Sequence, residues 1–157
     1  MRRILKTGLA TVAVLQLAQS VNAASTPEGI VDQLFDAMRA GDGDALRALV
    51  VVDARLDRLQ PDGSLRQGSF ERWISWVDQQ EEGDADEQIF SVQTLSKSAE
   101  LATVWAPFTI MYKGELVGCG VNQFTLGKTG DGWRVLYGID MPSEADCTTF
   151  PDQFKTN

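Results

Sequence analysis

The chain has 157 residues and a formal charge of −8, with 14 basic side chains, 22 acidic ones and no histidine. That length points to a single domain. The acidic balance argues against nucleic acid and anionic lipid as partners, since both demand a basic surface.

The chain opens Met1-Arg2-Arg3, followed by an apolar run from Gly8 to Leu15 and a small-x-small site at Val21-Asn22-Ala23. A positive start, a short apolar core and a small-residue end predict a secretory signal peptide over residues 1–23. A buried amphipathic helix, the alternative, needs neither end feature. Nothing later approaches the ~18 consecutive apolar residues of a membrane span. The expectation is an exported protein, periplasmic or extracellular, without membrane insertion. Loss of the leader removes Arg2, Arg3 and Lys6 and no acid, taking the charge from −8 to −11.

Residues 24–147 read as one domain, followed by a polar tail over 148–157. Thr26 and Pro27 start a helix, as N-cap and first helical residue. Val31, Leu34, Phe35 and Met38 form its apolar face, and Gly41 ends it. Asp42 caps a short second helix from Asp44 to Val50. Asp53 to Leu59 reads as a strand, Pro61-Asp62-Gly63-Ser64 as a turn, and Ser64 to Gln67 as a short return. Ser69 caps a third helix with Phe70, Trp73, Ile74 and Val77 buried and Trp76 at the margin. Gln79 to Glu87 reads as a solvated acidic loop, with strands starting at Gln88. Phe90-Val92-Thr94 alternates, and three long strands fill 101–141, turning at Lys113-Gly114 and at Gly127 to Gly132. Pro107 sits inside a strand that should have two neighbours, which predicts a bulge and a bend there.

This order resembles the nuclear transport factor 2-like (NTF2-like) superfamily, with its SnoaL-like polyketide cyclase and ketosteroid isomerase groups. The most specific stretches are Ala102-Thr103-Val104-Trp105-Ala106-Pro107-Phe108, Cys119 to Leu126, and Asp131-Gly132-Trp133-Arg134-Val135. They are similar to an uncharacterised, exported bacterial subgroup, and the likeness covers about residues 27–141. It implies an α+β cone, three N-terminal helices packed on a strongly curved mixed or antiparallel sheet around a ligand-sized pocket. It also implies a homodimer through the outer sheet face. Fold alone selects no function. Relatives often carry His at the place of Gly118 and Asp at the place of Asn122, so chemistry at those positions does not transfer to this chain.

Counting back from Lys113-Gly114 puts Met111, Thr109, Pro107, Trp105 and Thr103 on one face. Gly118, Gly120, Asn122, Phe124, Val135 and Tyr137 continue it. The candidate ligand-binding residues are therefore Phe35, Met38, Trp73, Trp105, Thr109, Asn122 and Tyr137, around an apolar cavity with few polar groups. The aromatics equally suit plain core packing. The opposite face would carry Val104, Phe108, Ile110, Cys119 and Val121 with Asp140, an apolar patch suited to a two-fold dimer.

The signal for an enzyme is weak. Acid–base work needs a carboxylate with its pKa raised by burial, but Asp57 and Asp140 read as outward and Asp53 as a helix end. Asn122 is the one polar pocket group an enzyme could use. Cys119 lacks a histidine partner for nucleophilic work. It instead pairs with Cys147, which Ser143 to Asp146 can bring back beside it, in a compartment where disulfides persist. Asp84-Ala85-Asp86 lacks the glycine and distal glutamate of a calcium loop. No metal and no cofactor are expected.

Three functions follow. The first is a non-catalytic exported domain binding a small apolar or aromatic molecule. The second is a cofactor-free isomerase, cyclase or dehydratase, and the third a structural homodimer with a filled cone. An inward, buried carboxylate in an open pocket would favour the enzyme.

Overall fold

The computed structural model describes residues 26–155; the expected leader over 1–23 lies outside the described residues. Helix α1 spans Pro27–Ala40, its Thr26 cap accepting from the Gly29 N–H at 3.2 Å. Gly41 closes it at φ 67°, the left-handed geometry a glycine C-cap supplies without steric cost. Helix α2 is Gly43–Leu49, capped by Asp42, and α3 is Phe70–Val77, capped by Ser69.

The strands are β1 Val50–Leu59, β2 Leu65–Arg66, β3 Ala85–Ile89, β4 Gln93–Lys97, β5 Leu101–Tyr112, β6 Glu115–Thr129 and β7 Gly132–Pro142. They form one mixed sheet in the order β2-β1-β7-β6-β5-β3, with β4 also pairing β5. The β1–β7 pairing is parallel and every other one antiparallel. Three helices pack against this curved, unclosed sheet as an α+β cone, the predicted class. The core between the layers includes Leu34, Met38, Leu46, Phe70, Ile74, Val104, Phe124 and Leu126, each at most 2% exposed. Full burial of side chains of this size contributes about 1.5–3 kcal/mol each.

Two local expectations are corrected. The chain is already in a strand at Ala85, so the segment read as a solvated loop to Glu87 is structural. Ala85 is fully buried, and Asp86 accepts from Arg39 Nε at 2.6 Å. The bulge lies beside the hairpin tip and not at Pro107, since Met111 pairs Leu116 but Ile110 pairs Gly118, leaving Val117 as the extra residue. Pro107 instead faces the gap between β3 and β4, where its carbonyl accepts from the Phe90 N–H at 3.0 Å. A residue's N–H and C=O point the same way in a strand, so the missing donor faces a place where the chain has left the ladder.

That one extra residue turns the inner half of β5 over. Beyond the bulge, the β5 residues sharing a face with Asn122 and Phe124 are Ala106 and Val104, not Trp105 and Thr109. Val104 is in the core, Ile110 faces the helices, and Phe108 is buried beside Gly120, where an added Cβ would lie 3.0 Å from the phenyl ring. Of the patch named for a dimer, Val104, Phe108 and Ile110 are therefore not on the outer face, which keeps Cys119 and Val121 and gains Trp105.

The chain end covers part of that face. Cys119 and Cys147 are joined as a disulfide, with a Cα–Cα separation of 5.4 Å. A short 3₁₀ turn, Phe150–Phe154, follows, and Phe150 and Phe154 stack with Phe90 at ring distances of 6.2 and 5.6 Å. The tail expected to be polar thus docks through two phenylalanines.

Candidate functional site

Between the helices and the concave face lies a cavity of about 230 Å³. At about 30 Å³ per water this holds roughly seven or eight waters, a little under the usual size of a drug-sized site. Leu34, Phe35 and Met38 of α1 and Phe70, Trp73 and Trp76 of α3 form the helix side. Leu56, Ile110 and Phe124 line the sheet side. Phe70 and Trp73 meet edge-on at 5.9 Å, and Phe124 sits 6.0 Å from Phe35, so the walls are rigid aromatic surfaces. Gly138 on β7 permits this closeness, because a Cβ there would come within 2.9 Å of Leu56 and 3.0 Å of Phe70.

Four polar side chains enter this apolar space: Arg58, Glu87, Asn122 and Asp140. Arg58 and Asp140 are direct partners across the parallel β1–β7 pair. Arg58 donates from Nε to both Asp140 oxygens at 2.9 Å and again from Nη2, a fork-on-carboxylate arrangement. Asn122 stands opposite Asp140 on β6 and donates from Nδ2 to Glu87 Oε1 at 2.5 Å. Glu87 comes from β3, two strands away, and the alternation that buries Ala85 turns Glu87 the same way.

The Glu87 carboxyl is pushed up to about 8. Burial is the largest cause, the Asn122 amide works against it, the Asp140 charge adds to it and Arg58 offsets part. Glu87 is half-buried and lines the cavity. At neutral pH Glu87 is therefore mostly a protonated acid, able to donate a hydrogen bond or a proton. No other described carboxylate is raised this far; Asp32 is raised by burial and by its acidic neighbours but lies outside the cavity.

The structure places the sequence candidates as follows. Phe35, Met38, Trp73 and Asn122 meet at the cavity. Trp105 and Thr109 sit on the opposite face, for the register reason given above; Trp105 packs with Val121 and the docked tail, and Thr109 pairs with Cys119 and Gln88. Tyr137 pairs Thr125 and Arg55 and donates through its hydroxyl to Asp57 at 3.1 Å, away from the cavity. Asp57, read as outward, is 1% exposed and also accepts from the Gly68 N–H at 3.0 Å and from Arg55. Burial pushes its carboxyl up, but those donors outweigh it and hold Asp57 below the usual carboxylate range. Asp140, also read as outward, lines the cavity, while Asp53 lies exposed on β1 at φ 61°.

Sequence reasoning missed Glu87, Arg58 and Asp140. The signal for Glu87 was Ala85-x-Glu87-x-Ile89, a two-residue period concealed by its acidic flank. Among the described residues no group of His, Cys, Asp or Glu is placed to hold a metal ion, and no helix is long and apolar enough to cross a membrane.

Several solved structures share the fold. An NTF2-like "putative dehydratase" from Streptomyces avermitilis is 20% identical, with a TM-score of 0.60 over 75% of this chain and 94% of that one. An NTF2-like protein with a cystatin-like fold from Novosphingobium aromaticivorans is 14% identical, with a TM-score of 0.58 over 82% and 86%. A "putative aromatic ring hydroxylase" from the same organism is 13% identical, with a TM-score of 0.60 over 75% and 87%. At such identities the likeness is one of fold. No curated protein matches the chain. The family model described as "Putative lumazine-binding" matches residues 23–138, which takes in all three helices and the cavity-bearing strands through Gly138. The chain belongs to that family, and its fold is the one these NTF2-like proteins share.

Proposed function

We propose that the cavity binds a small, flat molecule bearing a carbonyl or hydroxyl group, and that Glu87 exchanges a proton with it without a cofactor. The observation that carries this reading is the inward Glu87 carboxyl, held by Asn122 among aromatic walls. A neutral carboxyl can hand its proton to a leaving hydroxyl, which departs as water. The carboxylate so formed takes the neighbouring C–H proton, leaving an alkene and a neutral Glu87. The same group ionised serves as base in an isomerisation. Arg58 satisfies Asp140, so Glu87 is the cavity carboxylate free to titrate against a ligand. The similar folds described as a "putative dehydratase" and as a "putative aromatic ring hydroxylase" are compatible with small-molecule chemistry.

The test is α-hydrogen exchange in D2O with cyclohexanone and indan-1-one as probes, followed by NMR. Wild type should catalyse exchange, rising with pH towards 8, and Glu87→Gln should lose about 10²-fold or more. Equal exchange in the variant, or none above buffer, overturns the catalytic reading. A second reading, binding without chemistry, is supported by the aromatic walls. It predicts a retained ligand in native mass spectrometry without exchange. The open volume speaks against a cone filled by its own side chains.

Export and homodimerisation complete the proposal. Export is supported by the disulfide and the predicted leader, and N-terminal sequencing of protein recovered from the periplasm tests it. The apolar surface that the tail leaves open around Leu59, Ile139 and Met141 is the proposed dimer face, and light scattering decides it.

A further inference from the structure

Beside α3 a second hollow of about 370 Å³ adjoins the cavity. The two share Leu56, Arg58, Trp73, Trp76 and Asp140, so they adjoin along the two tryptophans. The outer hollow adds Arg66 from β2 and Arg72 from α3.

The charge arrangement there is unusual for a chain of formal charge −8. Five charged side chains line the hollow, and both acids are already satisfied. Asp57 is held by Arg55, Tyr137 and the Gly68 N–H, and Asp140 by Arg58. Among the described residues neither the Arg66 nor the Arg72 guanidinium has an ion-pair or hydrogen-bond partner, whereas those of Arg39, Arg47, Arg55, Arg58 and Arg134 all do. Two free guanidinium groups thus stand at the mouth of an aromatic cavity on a protein whose average field repels anions.

We propose that this mouth receives an anionic group, a carboxylate or a phosphate, of the same ligand whose flat body lies between Trp73, Trp76 and the inner cavity. This rests on the proposed small-molecule site and names its substrate class. Guanidinium forks match both anions with paired hydrogen bonds. The Arg58–Asp140 pair lines both hollows, and an anion at the mouth favours the protonated form of Glu87. The inner cavity offers an anion no unpaired cation, since Arg58 is committed to Asp140, so the charge belongs at the mouth and the apolar part inside.

Tryptophan fluorescence quenching tests this with 3-phenylpropionate against its methyl ester, and phenyl phosphate against phenol. Wild type should bind at least one anion about tenfold tighter than its neutral partner, a preference that shrinks with added salt. The exposed double substitution Arg66→Gln, Arg72→Gln should abolish the preference and leave binding of the neutral probe unchanged. A preference for phenylpropionate alone assigns a carboxylate, and for phenyl phosphate alone a phosphate. Equal binding of charged and neutral probes overturns the anion site but leaves the cavity reading standing. An anion preference that survives in the double variant overturns the assignment to these two arginines. Failure of all four probes to bind overturns the anion site and the cavity reading together.

Discussion

Replacing Glu87 by glutamine removes the carboxyl that, among the described residues, folding drives most strongly towards its neutral form. Its ordinary value is 4.5, and the fold pushes it up to about 8. Between those limits the folded state holds a proton that the unfolded chain has released, so stability falls as pH rises. The contribution is intact below pH 4.5 and lost by the time pH has passed 8. At about 1.4 kcal/mol per pH unit, roughly 3 kcal/mol is gone by pH 7 and on the order of 5 kcal/mol by pH 9. The substituted amide cannot ionise and still offers Asn122 an acceptor. The variant should therefore match wild type near pH 5 and exceed it by several kcal/mol at pH 9. Urea unfolding at pH 5, 7 and 9 with the disulfide intact reads this directly, and carbon-13 NMR of the glutamate carboxyls reads the midpoint. Asp32, raised from 3.8 by burial and its acidic neighbours, is present in both proteins and cancels in the comparison. Asp57 and Asp86 are held below 3.8 and act only in acid, and Tyr137 is raised above 10 by burial and Asp57. Parallel stability curves for the two proteins between pH 5 and 9, or a Glu87 midpoint near 4.5, would refute the reasoning.

Asn122→Leu removes the donor that holds the Glu87 carboxyl down, so its NMR midpoint should rise further, and an unchanged or lower value contradicts the assigned role. Cys147→Ser opens a loop of 28 residues' separation and should cost roughly 3–4 kcal/mol by the chain-entropy estimate. It should also free Phe150 and Phe154, and a loss under about 1 kcal/mol in urea would show that the tail docks without the bond. Asp57→Asn strips charge from a buried acceptor of three donors and should cost about 2–4 kcal/mol at pH 7. That difference should narrow as pH falls below 3.8, where wild type loses the same charge; a gap that stays constant in acid argues for a packing effect instead.

The local signals in the chain were sufficient for the cone. Thr26-Pro27 and Gly41, Asp42 and Ser69 mark the helix ends, because caps act over three or four residues and need no distant partner. The two Gly-rich turns and the period-two strands after Leu101 are equally local. Cys119 and Cys147 were legible too, since Ser143 to Asp146 is long enough to turn the chain back, and the Ser143 N–H donates to the Cys119 carbonyl at 2.8 Å. Which face each residue shows was not local. One extra residue, Val117, inverts β5 relative to the count from Lys113-Gly114. It sends Trp105 and Thr109 outward and brings Val104 and Ile110 in. The second shift, where Thr125 pairs Tyr137 but Leu126 pairs Val135, likewise leaves Gly138 and Asp140 facing inward in place of Tyr137 and Ile139. A strand alternates with a period of two, so a single inserted residue reverses everything beyond it, and no residue in the sequence announces the insertion. The acid of the candidate site was hidden for the same kind of reason. Glu87 looks solvated beside Glu81, Glu82, Asp84 and Asp86, and it becomes a buried carboxyl only because β3 pairs with β5, which turns it towards Asn122 and Asp140.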